Sequence, residues 1–273
     1  MMSDKTFADY EREGWERNAA DYDAIDLPAT CQAFAPLLDS VGPLRGRRVL
    51  ELACGTGHLA AQAVARGATI VGIDVAAPMV ALARQQVPEG TFQEGNAEAL
   101  PFDNADFDVV LCCFGLLHFS QPAQALREAA RVLRPGGRCA FTVWHAPEQG
   151  NAFFGLILGT YQAQANMEVG LPPAPPMFAL ADPAVRDPML RQAGFTDIQS
   201  QDLPIVWPLQ GPETTFEFVL KGAVRTRMLY ERQTPQVQQR IREAVIAGTE
   251  PYVRDGKAGI PCPAVLVTAR KPP

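Results

Sequence analysis

Between Arg47 and Trp144 the chain switches regularly between two hydrophobic periods, and this alternation constrains its fold more than any single motif. "RVLEL" (Arg48 to Leu52) is a short apolar strand. Gly57 to Arg66 follows as a helix, with Gly67 as its stop. "TIVGID" (Thr69 to Asp74) is a second, β-branched strand, and Pro78 opens the helical "PMVALARQQ" at a first-turn position. Thr91 to Asn96 reads as a third strand. "DVVLCCF" (Asp108 to Phe114) reads as a fourth, apolar enough to be buried on both faces. A helix starts near Ser120 and Pro122, puts Ala125, Ala129, Val132 and Leu133 on one side, and stops at "RPGG" (Arg134 to Gly137). "CAFTVW" (Cys139 to Trp144) is a fifth strand. Parallel neighbours need a crossover, usually a helix, so strands alternating with helices predict a parallel, doubly wound α/β sheet.

After Trp144 the texture changes. Gly150 to Val169 is helical in pattern, with Phe153, Phe154, Leu156, Ile157, Leu158 and Tyr161. The following "GLPPAPPMFALADP" is too rich in proline for a helix interior. Asp182 to Ala193 is helical, a strand starts at Asp197, Pro235 to Ile246 is helical, and Ala264 to Arg270 is the last strand. The expected organisation is a single domain over 1–273. It has an N-terminal helical cover at 7–40, a core at 47–149, a cap at 150–180 inserted after the fifth strand, and 181–273 completing the sheet. A chain of 273 residues is long enough to bury such a core.

Composition removes several classes. The formal net charge is -6 with no run of basic residues, a poor match for a phosphate backbone, so no nucleic-acid partner is expected. No apolar run approaches the length of a membrane span. Cys31, Cys54, Cys112, Cys113, Cys139 and Cys262 form no C-x-x-C pair, so zinc spacing is absent and no metal is expected. With no signal-peptide pattern, reduced thiols and a cytoplasmic location are the expectation.

Gly55-Thr56-Gly57-His58-Leu59-Ala60 reads G-x-G-x-x-A, the pattern of a dinucleotide-binding turn, and Asp74 follows at the end of the next strand. A strand, a glycine turn and a helix start present backbone N–H groups and a positive dipole end to a ligand. In a nicotinamide site a pyrophosphate takes that place. Here Glu51, four residues before Gly55, is awkward beside a pyrophosphate and suits an ammonium group. The cofactor that joins adenosine to an ammonium is S-adenosylmethionine. A nicotinamide-dependent oxidoreductase is the alternative reading of the same turn.

Four motifs, "VLELACGTG", "GIDVAAPMVALAR", "GNAEALPFDNADFDVV" and "RVLRPGGR", occur in order between Val49 and Arg138. In these the chain resembles the class I S-adenosylmethionine-dependent methyltransferases, in particular the ubiquinone/menaquinone-biosynthesis branch and related small-molecule enzymes. The resemblance covers roughly Arg47 to Trp144. It implies a Rossmann-like, mainly parallel seven-stranded sheet, S-adenosyl-L-methionine as donor and S-adenosyl-L-homocysteine as product. It further implies that Glu51 meets the methionine ammonium, and that Ala53, Gly55, Thr56 and Gly57 let the backbone approach the methionine and ribose. Asp74 would accept both ribose hydroxyls, Asn96 and Ala97 would read adenine with Met79 packed nearby, and Cys113 would line the methionine end through its backbone. Many relatives carry Asp where this chain has Asn96; either side chain can accept a hydrogen bond.

A base is needed only if the acceptor must lose a proton. His118 after the fourth strand and His145 after the fifth are the imidazoles expected at the carboxyl edge of the sheet, where open α/β sheets bind ligands, and His145, between the fifth strand and the cap, is the preferred base. "GWERNAADYD" resembles the segment with which relatives close the donor site, so Trp15 and Tyr22 are expected to shield a sulfonium. Phe153, Phe154, Tyr161 and Phe178 either line an apolar acceptor pocket or form the cap's own core. The function expected is methyl transfer to a small, aromatic or apolar acceptor, in the manner of secondary metabolism, with homodimer formation left open. A donor-binding partner subunit without catalysis is the reading from another class.

Overall fold

The computed structural model describes residues 5–255 and 257–273. Along the chain the strands are β1 (Arg48–Leu52), β2 (Thr69–Asp74), β3 (Thr91–Glu94), β4 (Phe107–Cys113), β5 (Leu133–Trp144), β6 (Thr196–Leu203), β7 (Val206–Leu209), β8 (Val253–Arg254), β9 (Lys257–Pro261) and β10 (Ala264–Arg270). The α-helices are α1 (Phe7–Asn18), α2 (Tyr22–Ile25), α3 (Leu27–Thr30), α4 (Phe34–Ser40), α5 (His58–Ala65), α6 (Ala77–Gln86), α7 (Pro122–Val132), α8 (Ala152–Gln164), α9 (Pro183–Gln192), α10 (Pro212–Lys221), α11 (Val224–Glu231) and α12 (Pro235–Thr249). They divide into two compact units. The sheet unit comprises Thr30–Trp144, Ala174–Leu203 and Ala264–Pro273. The second unit comprises the chain up to Ala29, His145–Pro173 and Pro204–Pro263.

The sheet unit is built on seven strands in the order β3-β2-β1-β4-β5-β10-β6. β1 to β5 run parallel, and β10 lies antiparallel between β5 and β6. The expected doubly wound, mainly parallel sheet is therefore the observed one. Leu50 pairs Val71 on one side and Val110 on the other, so β1 and β4 flank the point where the winding reverses. Ligands of open α/β sheets bind beyond the strand ends at such a switch point. Central strands read as continuous apolar runs because both faces are covered: Val49, Leu50, Ile73, Phe107, Val110 and Leu111 are fully buried. Gly67, at φ +86, ends α5 as expected.

Local differences from the sequence expectation have local causes. "RPGG" is not a loop after α7. Leu133 already pairs with Phe107, the register shifts before Val109, and the segment forms a bulged start to β5. Gly136, at φ +77, donates its N–H to the carbonyls of Lys271 and Pro272. The helix expected over Gly150 to Val169 stops at Gln164, before the proline-rich stretch.

The second unit gathers α1, α2, α8, α10, α11 and α12 with a three-stranded antiparallel sheet, β7-β9-β8. Its core centres on Trp207, 1 % exposed, which stacks on Phe153 at a centroid distance of 4.1 Å and meets Phe218 edge-on at 4.8 Å. The Trp207 indole N–H donates to the carbonyl of Ile25 at 3.2 Å. The boundaries drawn from sequence therefore move. Residues 204–263 join this unit instead of completing the large sheet, to which 181–273 contributes α9, β6 and β10. The cover at 7–40 divides as well, since α4 belongs to the sheet unit. The cause is burial: α10 sends Thr215, Phe216, Phe218 and Val219 into the second unit's core. Among the described residues no helix is long and apolar enough to cross a membrane, and no cluster of metal-ligating side chains occurs.

Candidate functional site

At the end of β1 the backbone enters the left-handed region three times, at Ala53 (φ +51), Gly55 (φ +51) and Gly57 (φ +87). Glycine adopts this conformation freely, whereas alanine pays roughly 1–2 kcal/mol for it. Such strain persists where the surroundings enforce it. Here the Cys54 N–H donates to the Ile73 carbonyl at 3.1 Å, tying the turn to β2. A Cβ on Gly115 would lie 2.6 Å from the Ala53 Cβ and 2.7 Å from the Cys112 sulfur, so this glycine lets the turn after β4 pass the turn after β1. A Cβ on Gly57 would lie 3.0 Å from the Cα of Ala83 in α6.

Two buried carboxylates face this turn's neighbourhood. Asp74 Oδ2 accepts the Gly55 N–H at 2.9 Å and Oδ1 accepts the Ala76 N–H at 2.9 Å. Burial pushes the Asp74 carboxyl up, against these N–H donors and the nearby charge of His118, which pull it down. Glu51 is 2 % exposed and its Oε2 has no hydrogen-bond partner among the described residues. Burial first, then the charge of Asp74, push its carboxyl well above the usual glutamate range. An isolated buried carboxylate is costly, and a cation that also donates hydrogen bonds removes the cost. The ammonium of S-adenosylmethionine fits that demand, which a pyrophosphate would aggravate.

The other residues expected at the donor lie in the same unit. Thr56, Met79 and Ala97 are buried. Asn96 is exposed and its Oδ1 accepts the Glu98 N–H at 2.8 Å, the geometry of an Asx turn, which leaves one lone pair on that oxygen. Cys113 is half-buried, and the Thr142 hydroxyl donates to its sulfur at 3.5 Å. Burial raises its thiol, which argues against a nucleophile.

The sequence reading missed Phe114, Thr142 and Trp144. Phe114 is left-handed at φ +54, unusual for an aromatic residue, and its N–H donates to the hydroxyl of Thr142 at 3.1 Å. Its ring lies flat on Trp144, with centroids 3.8 Å apart and planes 13° apart. The available signal was an aromatic residue ending each of two adjacent strands.

The two histidines are not brought into one unit. His118 lies in the sheet unit, in the 3-10 turn Leu116–His118, and acts electrostatically on Asp74. His145 opens the first segment of the second unit after Ala29, where its N–H donates to the Pro263 carbonyl and its carbonyl accepts from the Asn151 amide. Trp15 and Tyr22 meet edge to face at 6.2 Å in the second unit, and the Trp15 indole donates to Glu11 at 3.2 Å. Phe153, Phe154 and Tyr161 are buried in that unit's own core, the Tyr161 hydroxyl donating to the Thr226 carbonyl at 2.7 Å. Phe178 is half-buried and belongs to the sheet unit.

Residues 50–141 match the family model described as a methyltransferase domain. The chain is 42% identical over 121 residues to the demethylmenaquinone methyltransferase of Thermus thermophilus, covering 42% of this chain and 54% of that one. It is 35% identical over 163 residues to the demethylmenaquinone methyltransferase of Deinococcus radiodurans, covering 58% and 59%. The chain thus spans about half the length of these curated relatives. The YcgJ protein of Bacillus subtilis superposes with a TM-score of 0.58 at 20% identity, over 89% of this chain and 99% of that one. Residues 50–141 are thus similar to the methyltransferase domain, and the chain has the Rossmann-like fold of class I methyltransferases.

Proposed function

We propose that this chain transfers a methyl group from S-adenosylmethionine to a small, aromatic or apolar acceptor. The observation that carries the proposal is Glu51: a fully buried carboxyl with an unpartnered oxygen, beside the buried Asp74 and a left-handed glycine turn. In this reading Glu51 takes the ammonium, Asp74 the two ribose hydroxyls, and the N–H groups of the 53–57 turn the methionine end. Asn96 and Ala97 read the adenine, Met79 packs against it, and Cys113 lines the site through its backbone. When bound, the donor supplies a sulfonium methyl for in-line displacement. Holding donor and acceptor collinear is worth about 7–11 kcal/mol in favourable cases. His145 and His118 are the candidate bases for an acceptor that must lose a proton, and His118 lies in the same unit as Glu51 and Asp74.

The relatives named demethylmenaquinone methyltransferases support a quinol-like ring as the acceptor class. The acidic chain supports a small-molecule acceptor over a nucleic acid. Calorimetry with S-adenosylhomocysteine and with NAD tests the donor assignment. Binding of the first and negligible binding of the second is expected; equal or tighter NAD binding overturns it. Release of S-adenosylhomocysteine across a panel of quinols and phenols then tests the acceptor class, and donor binding without turnover on any of them would favour the non-catalytic partner reading.

A further inference from the structure

Between β3 and β4, residues 95–106 form neither helix nor strand, and they carry Asn96 and Ala97. A segment without a backbone ladder of its own has to be fixed from outside. Its entry is tied to β2, where the Gly95 N–H donates to the Asp74 carbonyl at 2.9 Å. Asn96 to Ala99 then close a tight turn, the Ala99 N–H donating to the Asn96 carbonyl at 3.0 Å. The exit of that turn, at Leu100, is held by α7 in the same unit.

The holding groups are the ion pair Glu128–Arg131, three residues apart on α7. Glu128 Oε2 accepts the Leu100 N–H at 2.8 Å, and Arg131 Nη2 donates to the Leu100 carbonyl at 2.9 Å. Both backbone groups of one loop residue are thus taken by the two members of one ion pair. Arg131 Nη1 donates further to the Phe102 carbonyl at 2.7 Å and to Asn104 Oδ1 at 3.0 Å. Against Glu128 the guanidinium lies side by side, Nε on Oε1 at 2.8 Å and Nη2 on Oε2 at 2.7 Å. All five N–H donors of the fork therefore have an acceptor, an arrangement that a lysine ammonium cannot reproduce. An ion pair that served only its own helix would have no reason to commit three of those donors to a loop. The Arg131 side chain is 31 % exposed, so changing it opens no hole in the core.

We infer that Arg131, oriented by Glu128, is a positioning residue for adenine recognition: it fixes the exit of the turn whose first two residues, Asn96 and Ala97, meet the purine edge. The inference rests on the donor reading proposed above.

The 6-oxo analogue S-inosylhomocysteine reads the positioning directly. Its oxo group replaces the amino donor and its N1–H replaces the ring acceptor, so both groups facing Asn96 and Ala97 are reversed. Calorimetry on the full chain should show a preference of roughly tenfold or more for S-adenosylhomocysteine over this analogue. Arg131→Lys keeps the charge and loses the fork, and the preference should fall about fivefold or more. Glu128→Gln turns an amide N–H toward the donors of Leu100 and Arg131 and should give the same loss. A role confined to stability would lower the melting temperature of these variants and leave the preference intact where they are folded. Preference retained in both variants overturns the inference, and so does failure of both to fold, which would make the pair a requirement of the fold itself. A parent chain that binds neither ligand, or does not distinguish them, overturns instead the adenine assignment on which the inference rests.

Discussion

Asp74 is held by the turn it serves: its Oδ2 accepts the backbone N–H of Gly55 at 2.9 Å, joining the tip of β2 to the glycine turn after β1. The carboxylate therefore shapes the turn as well as offering lone pairs to a ligand. Asp74→Ala should weaken S-adenosylhomocysteine binding at least tenfold, since a charge-assisted hydrogen bond contributes about 1.5–3 kcal/mol. Cys113→Ser should change it little, because in the proposed site that position acts through its backbone. Calorimetry on the two variants checks the ranking; greater damage from Cys113→Ser would displace the donor from this turn.

Glu51 sets a pH dependence for the ligand-free protein. Its folded-state pKa is raised above the unfolded value near 4.5, so between the two the folded chain holds a proton that the unfolded chain has lost. Stability falls as pH rises through that window. Asp74, also raised by burial, acts in the same direction. Glu51→Gln should flatten the decline and raise the melting temperature at neutral pH, while weakening donor binding. Thermal melts from pH 5 to 8 read this directly, and an unchanged slope in the variant would assign the decline to other groups.

Gly57→Ala should destabilise the protein by about 1–2 kcal/mol from the left-handed backbone alone, with crowding against Ala83 added. For a chain of this size that corresponds to a fall of roughly 2–4 °C in Tm per kcal/mol. A variant that melts with the parent would show that the turn relaxes at no cost.

Tyr161→Phe removes a hydroxyl that donates to the Thr226 carbonyl in the second unit's core. A loss of about 1 kcal/mol in denaturant unfolding is expected, with acceptor KM unchanged. A raised KM at unchanged stability would return Tyr161 to the acceptor pocket.

With an accepted substrate that must lose a proton, His118→Ala should lower turnover about 10²-fold and alter the pH profile of activity. Turnover and pH profile retained in both His118→Ala and His145→Ala, with donor binding intact, would leave positioning as the whole of catalysis.

The large sheet was legible because each strand follows from a local run, and the buried carboxyls of Asp74 and Glu51 could be singled out in the same way. Asp74 ends "TIVGID", and Glu51 sits inside an apolar strand where a carboxyl has no structural reason to be. The left-handed backbone of Phe114 was not legible, because nothing in "CCFG" announces that conformation for an aromatic residue. The second unit was illegible for another reason. Phe153, Trp207 and Phe218 lie on three elements far apart in sequence, and only their mutual burial reveals that one core unites them. Periodicity reports which face of an element is apolar and is silent about which neighbour will cover it.

The insertion of β10 between β5 and β6 sets a timetable for folding. β6 is joined to the large sheet only through β10, and every strand and helix between Pro204 and Pro263 precedes β10 in synthesis. A nascent chain thus presents β5 with an open edge and β6 with no partner while the other unit is still being made. Pairings that wait on distant sequence are slow to form and expose strand edges to wrong partners. This fold should therefore depend most on chaperones, and aggregate most readily, in the interval before its last strand arrives.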